Sequence, residues 1–223
     1  FITGPQEGVL VVADGAGGQP AGAEAASLAL KAIQKSVLGA RDAGMALGEA
    51  ILDGFEKANR AVIGLGVGAA TTLVVGEVNG DTFRPYHGGD SIILICGQRG
   101  RRKHLTTSHS PVGYAVEAGI LDAREALYHE ALHLVSNFVG TEDMAIEIGP
   151  AMKLGSRDTV MLASDGLSDN LHTDEIIKII RKGSLEDIAA NMVKSVKKRM
   201  MAPGVKDPSK PDDLSFIMFR TGG

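Results

Sequence analysis

Apolar and polar positions switch between a helical and an extended period along this chain, and each switch marks an element. Gly8-Val-Leu-Val-Val-Ala13 is a short apolar run that reads as a strand. An Ala-rich stretch from Pro20 to about residue 38 reads as a helix with Pro near its first turn. A second helix, over residues 42–62, places Leu47, Ile51, Phe55 and Ala58 on one face. After a loop at 64–68 the period becomes extended: a strand from Thr71, a tight turn at Asn79-Gly80, and a strand over 82–86. Strands at 90–96 and 101–106 flank a turn at 97–100, so the pattern predicts consecutive hairpins and an antiparallel sheet. Residues 108–140 read as loop with a helix over 122–134, followed by strands at 144–148 and 159–163. Helices over 173–181, with Thr173 as cap, and 184–199 come next. A Pro-rich loop to residue 212 and a last strand over 213–219 complete the pattern. No repeat or compositional break divides the chain. The expected class is α+β, one domain over residues 1–223, with an antiparallel core covered by amphipathic helices.

The stretch richest in chemistry is Val160-Met-Leu-Ala-Ser-Asp-Gly-Leu-Ser-Asp-Asn170. Its strand ends at Asp165-Gly166, and a helical turn there would put Asp165 and Asp169 on one face. No Lys or Arg lies between these two mutually repelling carboxylates. A positive group is expected beside them, and oxygen-only ligands suit a hard divalent cation. The alternative is a solvated Asp-Gly turn. The first strand likewise runs into an Asp-Gly pair at Asp14.

Composition narrows the classes. The chain has 223 residues, 44% of them hydrophobic and 22% charged, which suits an ordinary globular protein. Its net charge of −4 offers no basic surplus for nucleic acid or an anionic membrane. Cys96 is the single cysteine, which excludes an internal disulfide and suits a reducing, cytoplasmic setting. No apolar run approaches the ~18 residues of a membrane span.

Three motifs compete with the acidic one. Gly15-Ala-Gly-Gly-Gln-Pro20 resembles a dinucleotide fingerprint, but Pro20 stands where its third glycine belongs. Cys96 and Arg102 have the Cys-x5-Arg spacing of cysteine-dependent phosphatases, yet the residues after Cys96 read as a hairpin instead of a helix start. His129-Glu-Ala-Leu-His133 is an HExxH sequence on an expected helix, so a zinc peptidase is the sharpest rival. Its extended form fails, with Ser136 and Val139 where Gly and His would be.

Acids at strand ends recur at Asp14, Asp90, Asp165, Asp169 and Asp213. The stretches Val12–Gly18, Gly68-Ala-Ala-Thr-Thr72, Gly88-Gly-Asp-Ser91, Leu162–Asp169 and Asp212-Asp-Leu-Ser215 resemble, in order, those of the metal-dependent (type 2C) Ser/Thr protein phosphatases. Ser108–Pro111 and Glu117–Ala126 are similar to that family's flap region, and the compact chain resembles bacterial members.

That resemblance implies a β-sandwich of two antiparallel sheets flanked by helix pairs, with two Mn²⁺ or Mg²⁺ ions at one end. Asp14 would bridge the ions, Gly15 would lend its carbonyl, and Asp165 and Asp213 would complete the other ion's ligands. Asp90 and Asp169, with Asp165, would hold a third, weaker ion. The implied activity is hydrolysis of phosphoserine and phosphothreonine in proteins, by in-line attack of a metal-bridged hydroxide without a phosphoenzyme. The catalytic residues would be Asp14, Asp165 and Asp213, in a cytoplasmic monomer acting on phosphoproteins. The chain departs from the pattern in having no Arg and acidic pair before Asp14, so either its N-terminal strand is missing, as expected here, or it is a degenerate member. Ala16 replaces a His proposed as general acid in animal members, which leaves protonation of the leaving group to water. A catalytically silent phosphatase-like binding domain is the competing class.

Overall fold

The first strand, β1 (Glu7–Gly15), runs two residues further than its apolar stretch and ends with the Asp14-Gly15 pair inside the ladder. The computed structural model describes residues 1–4, 6–16, 21–201 and 207–221. Within these, the chain divides into two compact units, Phe1–Ser91 with Val135–Lys153, and Ile92–Leu134 with Leu154–Gly223.

In the first unit β1 pairs antiparallel with β2 (Thr71–Asn79), which pairs with β3 (Thr82–Gly88) through the expected tight turn. Gly80 supplies the positive φ of 59° that this turn requires. Two short strands, β4 (Glu147–Ile148) and β5 (Met152–Lys153), join the other side of β3. The helices α1 (Gly22–Ala43) and α2 (Leu47–Ile63) pack on each other, and α1 packs on β1 and β2. Ile51, Phe55 and Ala58 are fully buried with Ile33, Leu73 and Tyr86, and Leu47 packs against them half-buried. The α2 stripe predicted from spacing is thus the core face. The predicted start of α1 at Pro20 lies outside the described residues.

The second unit carries the sheet β7–β6–β8–β9 in space, with β6 (Ile92–Cys96), β7 (Arg102–Leu105), β8 (Thr159–Ala163) and β9 (Phe216–Arg220). Every pairing is antiparallel. β6 and β8 are buried at every position, which explains their continuous apolar sequences. Short helices α3 (Pro111–Glu117) and α4 (Asp165–Ser168) precede α5 (Thr173–Ile180) and α6 (Leu185–Met201). Ile176, Ile177, Ile180, Ile188, Met192 and Val196 bury the inner faces of α5 and α6.

The antiparallel α+β class is as expected; three local expectations are corrected. β3 and β6 do not form a hairpin: they belong to different sheets, and the Gly-rich stretch between them is a crossover. The helix expected over 122–134 is a 3-10 turn at Glu125–Tyr128, and His129 is already extended, with ψ 136°. The cap of α5 is His172, one residue before Thr173; the His172 N–H donates to Glu175 Oε2 at 2.9 Å.

Candidate metal centre

In the first unit, Asp14 is fixed by the strand opposite. Its register partner is Thr72, whose Oγ1 accepts from the Asp14 N–H at 3.2 Å, while Thr71 Oγ1 donates to the Asp14 carbonyl at 2.8 Å. Thr72 Oγ1 also bonds Ser91 Oγ at 2.7 Å, both buried. The Ala-Thr-Thr and Asp-Ser motifs are therefore one hydrogen-bonded brace around the end of β1. Gly15 is glycine because a Cβ there would stand 2.3 Å from the carbonyl group of Gly22. Asp90, half-buried, follows β3 immediately before that brace serine.

In the second unit, β8 delivers Ser164 and then the α4 turn. Asp169 N–H donates to the Asp165 carbonyl at 2.8 Å, so the two carboxylates share one face as their spacing requires. The segment 210–215 is bound alongside. Ser164 N–H donates to the Ser215 carbonyl at 2.9 Å, and Ser215 N–H donates to Ser164 Oγ at 3.1 Å. Buried Asn170 donates to the carbonyls of Gly166 and Lys210 at 2.9 and 2.8 Å and accepts from the Lys210 N–H at 2.8 Å.

These contacts deliver the Lys210 ammonium to the acids. Its Nζ lies 2.7 Å from Asp165 Oδ2, 2.9 Å from Asp169 Oδ2 and 3.2 Å from Asp212 Oδ2. The acids outnumber their cation, and Asp169 is the most buried of them. Burial pushes its carboxyl up to about 6; the Asp165 and Asp212 charges add to this, and the Lys210 hydrogen bond opposes it. Burial works against the charge on Lys210, but the hydrogen bonds it donates to Asp165 and Asp169 outweigh it and hold the ammonium above its ordinary range.

The structure thus brings Asp165 and Asp169 together and adds Asp212 and Lys210, which the sequence reading did not single out. Asp213 is exposed and joins through its backbone, its N–H donating to Asp212 Oδ1 at 2.8 Å. The donors are all carboxylate oxygens converging on one positive charge. That donor set fits a hard divalent cation.

The comparisons with known proteins give the family. A family model described as protein phosphatase 2C matches residues 1–207. The chain belongs to the protein phosphatase 2C family. It is 30% identical over 182 residues to protein phosphatase PhpP of Streptococcus pneumoniae, spanning 77% of this chain and 72% of that one. A serine/threonine phosphatase of S. agalactiae matches at TM-score 0.77 and 24% identity, over 99% of this chain and 90% of that one. The catalytic domain of the phosphatase PstP, solved with two manganese ions, matches at TM-score 0.68 and 19% identity, over 98% and 92% of the two chains. These likenesses show the fold. As a 2C member the chain is a protein serine/threonine phosphatase, a hydrolase of phosphoproteins, from a family that uses Mn²⁺ or Mg²⁺.

The rival motifs have structural explanations within this family assignment. Cys96 and Arg102 are register partners across a bulged hairpin, so their spacing builds no anion cradle. Burial pushes the Cys96 thiol up to about 11, away from a nucleophilic thiolate. His129 is extended and His133 lies in the turn that follows, and His129 Nδ1 accepts from the Ala131 N–H at 3.1 Å. The helix that an HExxH zinc site needs does not form there. Of the Gly-rich fingerprint, residues 17–20 lie outside the described residues; β1 pairs antiparallel, unlike a dinucleotide-binding unit.

Proposed function

We propose that the chain is one catalytic domain over residues 1–223 that removes phosphate from phosphoserine and phosphothreonine with two divalent cations, Mn²⁺ or Mg²⁺. Asp14, the Gly15 carbonyl, Asp165 and the Asp212-Asp213 pair would hold these ions, with Asp90, Asp165 and Asp169 as a third, weaker set. Within the acidic pair, the resemblance assigns Asp213. The geometry favours Asp212, whose carboxylate reaches the cluster. The observation that carries the reading is the convergence of Asp165, Asp169 and Asp212 on one cation.

Bound divalent cations would acidify a water and neutralise phosphoryl charge. The chain's own residues supply position and charge: the Thr71-Thr72 brace sets Asp14, and Asn170 with Ser164 sets the 210–215 segment against Asp165. Water is the nucleophile in this reading, attack is in line, and no phosphoenzyme forms. Cys96, buried and protonated, offers no competing route. The net charge of −4 supports phosphoproteins over nucleic acid as partners. Among the described residues no helix is long and apolar enough to cross a membrane. We assign a cytoplasmic monomer.

Release of phosphate from p-nitrophenyl phosphate, measured with Mn²⁺, with Zn²⁺ and with chelator, tests the reading. Mn²⁺-dependent release is expected. A folded chain that binds phosphoprotein without any release would instead be a silent binding domain.

A further inference from the structure

We propose that Lys210 is a built-in counter-cation that competes with a divalent ion for Asp165 and Asp169. This rests on the metal-dependent reading above. The Lys210 Nζ occupies the hydrogen-bonding positions on Asp165 Oδ2 and Asp169 Oδ2, at 2.7 and 2.9 Å, with Asp212 Oδ2 at 3.2 Å. An ammonium and a hard cation seek the same carboxylate lone pairs, so one must withdraw for the other to bind there.

The contact is held from its backbone. Asn170, fully buried, grips both the N–H and the carbonyl of Lys210, and its amide also donates to the Gly166 carbonyl inside α4. The same Asn170 follows Asp169 directly, so the lysine and the acids it neutralises share one rigid frame. The ammonium itself has a way out: the Lys210 side chain is 36% exposed, against 17% and 10% for Asp165 and Asp169. A flexible stem on a fixed backbone can swing to solvent while its carboxylate partners stay in place.

The arrangement therefore has two alternative fillings of one acidic cluster. With Lys210 inserted, repulsion among the carboxylates is relieved without a metal, and the folded chain keeps its shape. With a divalent ion inserted, Lys210 is free to leave. The cost of expelling it lowers metal affinity at the Asp165–Asp169 pair. The Lys210 side chain is thus a positioning residue that sets the threshold cation concentration for loading, and no part of the reaction is assigned to it.

The experiment titrates the full chain with Mn²⁺ by calorimetry, and records thermal melting with chelator and with saturating Mn²⁺. Wild type is compared with Lys210→Met and Lys210→Arg. Lys210→Met keeps the backbone bonds to Asn170 and removes the ammonium. Its weakest Mn²⁺ site is expected to tighten about tenfold, the scale of one charge-assisted hydrogen bond. Its melting temperature falls below wild type in chelator and recovers to wild type or above in Mn²⁺. Lys210→Arg keeps the wild-type isotherm. A merely structural lysine would lower the melting temperature in both conditions, and that result overturns the proposal. So does an unchanged or weakened Mn²⁺ isotherm in Lys210→Met, which leaves the phosphatase reading standing. Absence of Mn²⁺ binding in wild type and variants alike overturns both.

Discussion

The carbonyl oxygen of Asp213 passes so close to Gly166 that a Cβ on that glycine would stand 2.0 Å from it. Ser164 Oγ donates to the same carbonyl at 3.4 Å. The Asp-Gly pair after β8 is therefore a docking groove for a second backbone segment, the one that brings Asp212 to Asp165. Gly166→Ala must push that segment away, because the obstructing atom is backbone. A loss of about 1–3 kcal/mol in urea denaturation is expected, together with weaker Mn²⁺ binding. Wild-type stability with unchanged metal affinity would contradict this.

Asn170 makes the same link from the other side. Its amide serves three backbone groups in a buried setting, so truncation leaves the Lys210 and Gly166 groups unsatisfied. Asn170→Ala should cost on the order of 2 kcal/mol in chemical denaturation. Asn170→Asp, nearly isosteric, adds a negative charge to an acidic cluster and should destabilise the metal-free chain more than the Mn²⁺-loaded one. Equal losses in both states would show that charge at this position is unimportant.

Much of this was readable from the chain, for reasons tied to particular residues. The α2 stripe at Leu47, Ile51, Phe55 and Ala58 was visible because helical spacing makes a single buried face. Asp165 and Asp169 were visible because a strand end and an i, i+4 spacing are both local. Their mutual repulsion also required a cation beside them. Lys210 was not visible, because it arrives from 45 residues downstream and stands in a polar, Pro-rich stretch without periodicity. Asp212 and its neighbour Asp213 are both exposed and indistinguishable by composition; only the path of the chain past Gly166 decides which carboxylate reaches the Lys210 ammonium. The β3–β6 connection looked like a hairpin because two apolar strands around glycines carry no local mark of which sheet each joins.

Asp212 and Asp213 can be separated by substitution. Asp212→Asn removes a carboxylate within 3.2 Å of the cluster's cation. It should lower Mn²⁺ affinity about tenfold or more. Asp213→Asn alters an exposed side chain whose backbone does the holding, and should change affinity by less than about threefold. Calorimetric titration of both variants checks the pair. The reverse ranking would restore Asp213 as the ligand.

The metal-free chain should show a pH-dependent step from Asp169. Its carboxyl is pushed up to about 6 from the usual 3.8, chiefly by burial. The folded chain therefore holds this proton more tightly than the unfolded chain, and ionisation weakens the fold. This stabilisation is present below about pH 4, is lost as pH rises through about 6, and amounts to roughly 3 kcal/mol. Asp169→Asn does not titrate. In chelator, wild-type stability should fall relative to the variant between about pH 4 and about pH 6 and run parallel above that. A constant offset across the range would contradict the burial of Asp169.

The HExxH sequence should be silent. His129 and His133 are exposed and lie outside any helix. His133→Ala and His129→Ala are expected to leave phosphate release within about twofold of wild type, with no zinc-dependent peptide cleavage in any form of the chain. Zinc-dependent cleavage lost in His133→Ala would reinstate the peptidase.

The most direct test is Mn²⁺-dependent phosphate release from a phosphothreonine peptide, measured side by side for wild type and Asp165→Asn. Release that appears with Mn²⁺, disappears with chelator and falls by at least about a hundredfold in the variant is predicted. Release that survives chelator, or that Asp165→Asn leaves undiminished, would contradict it.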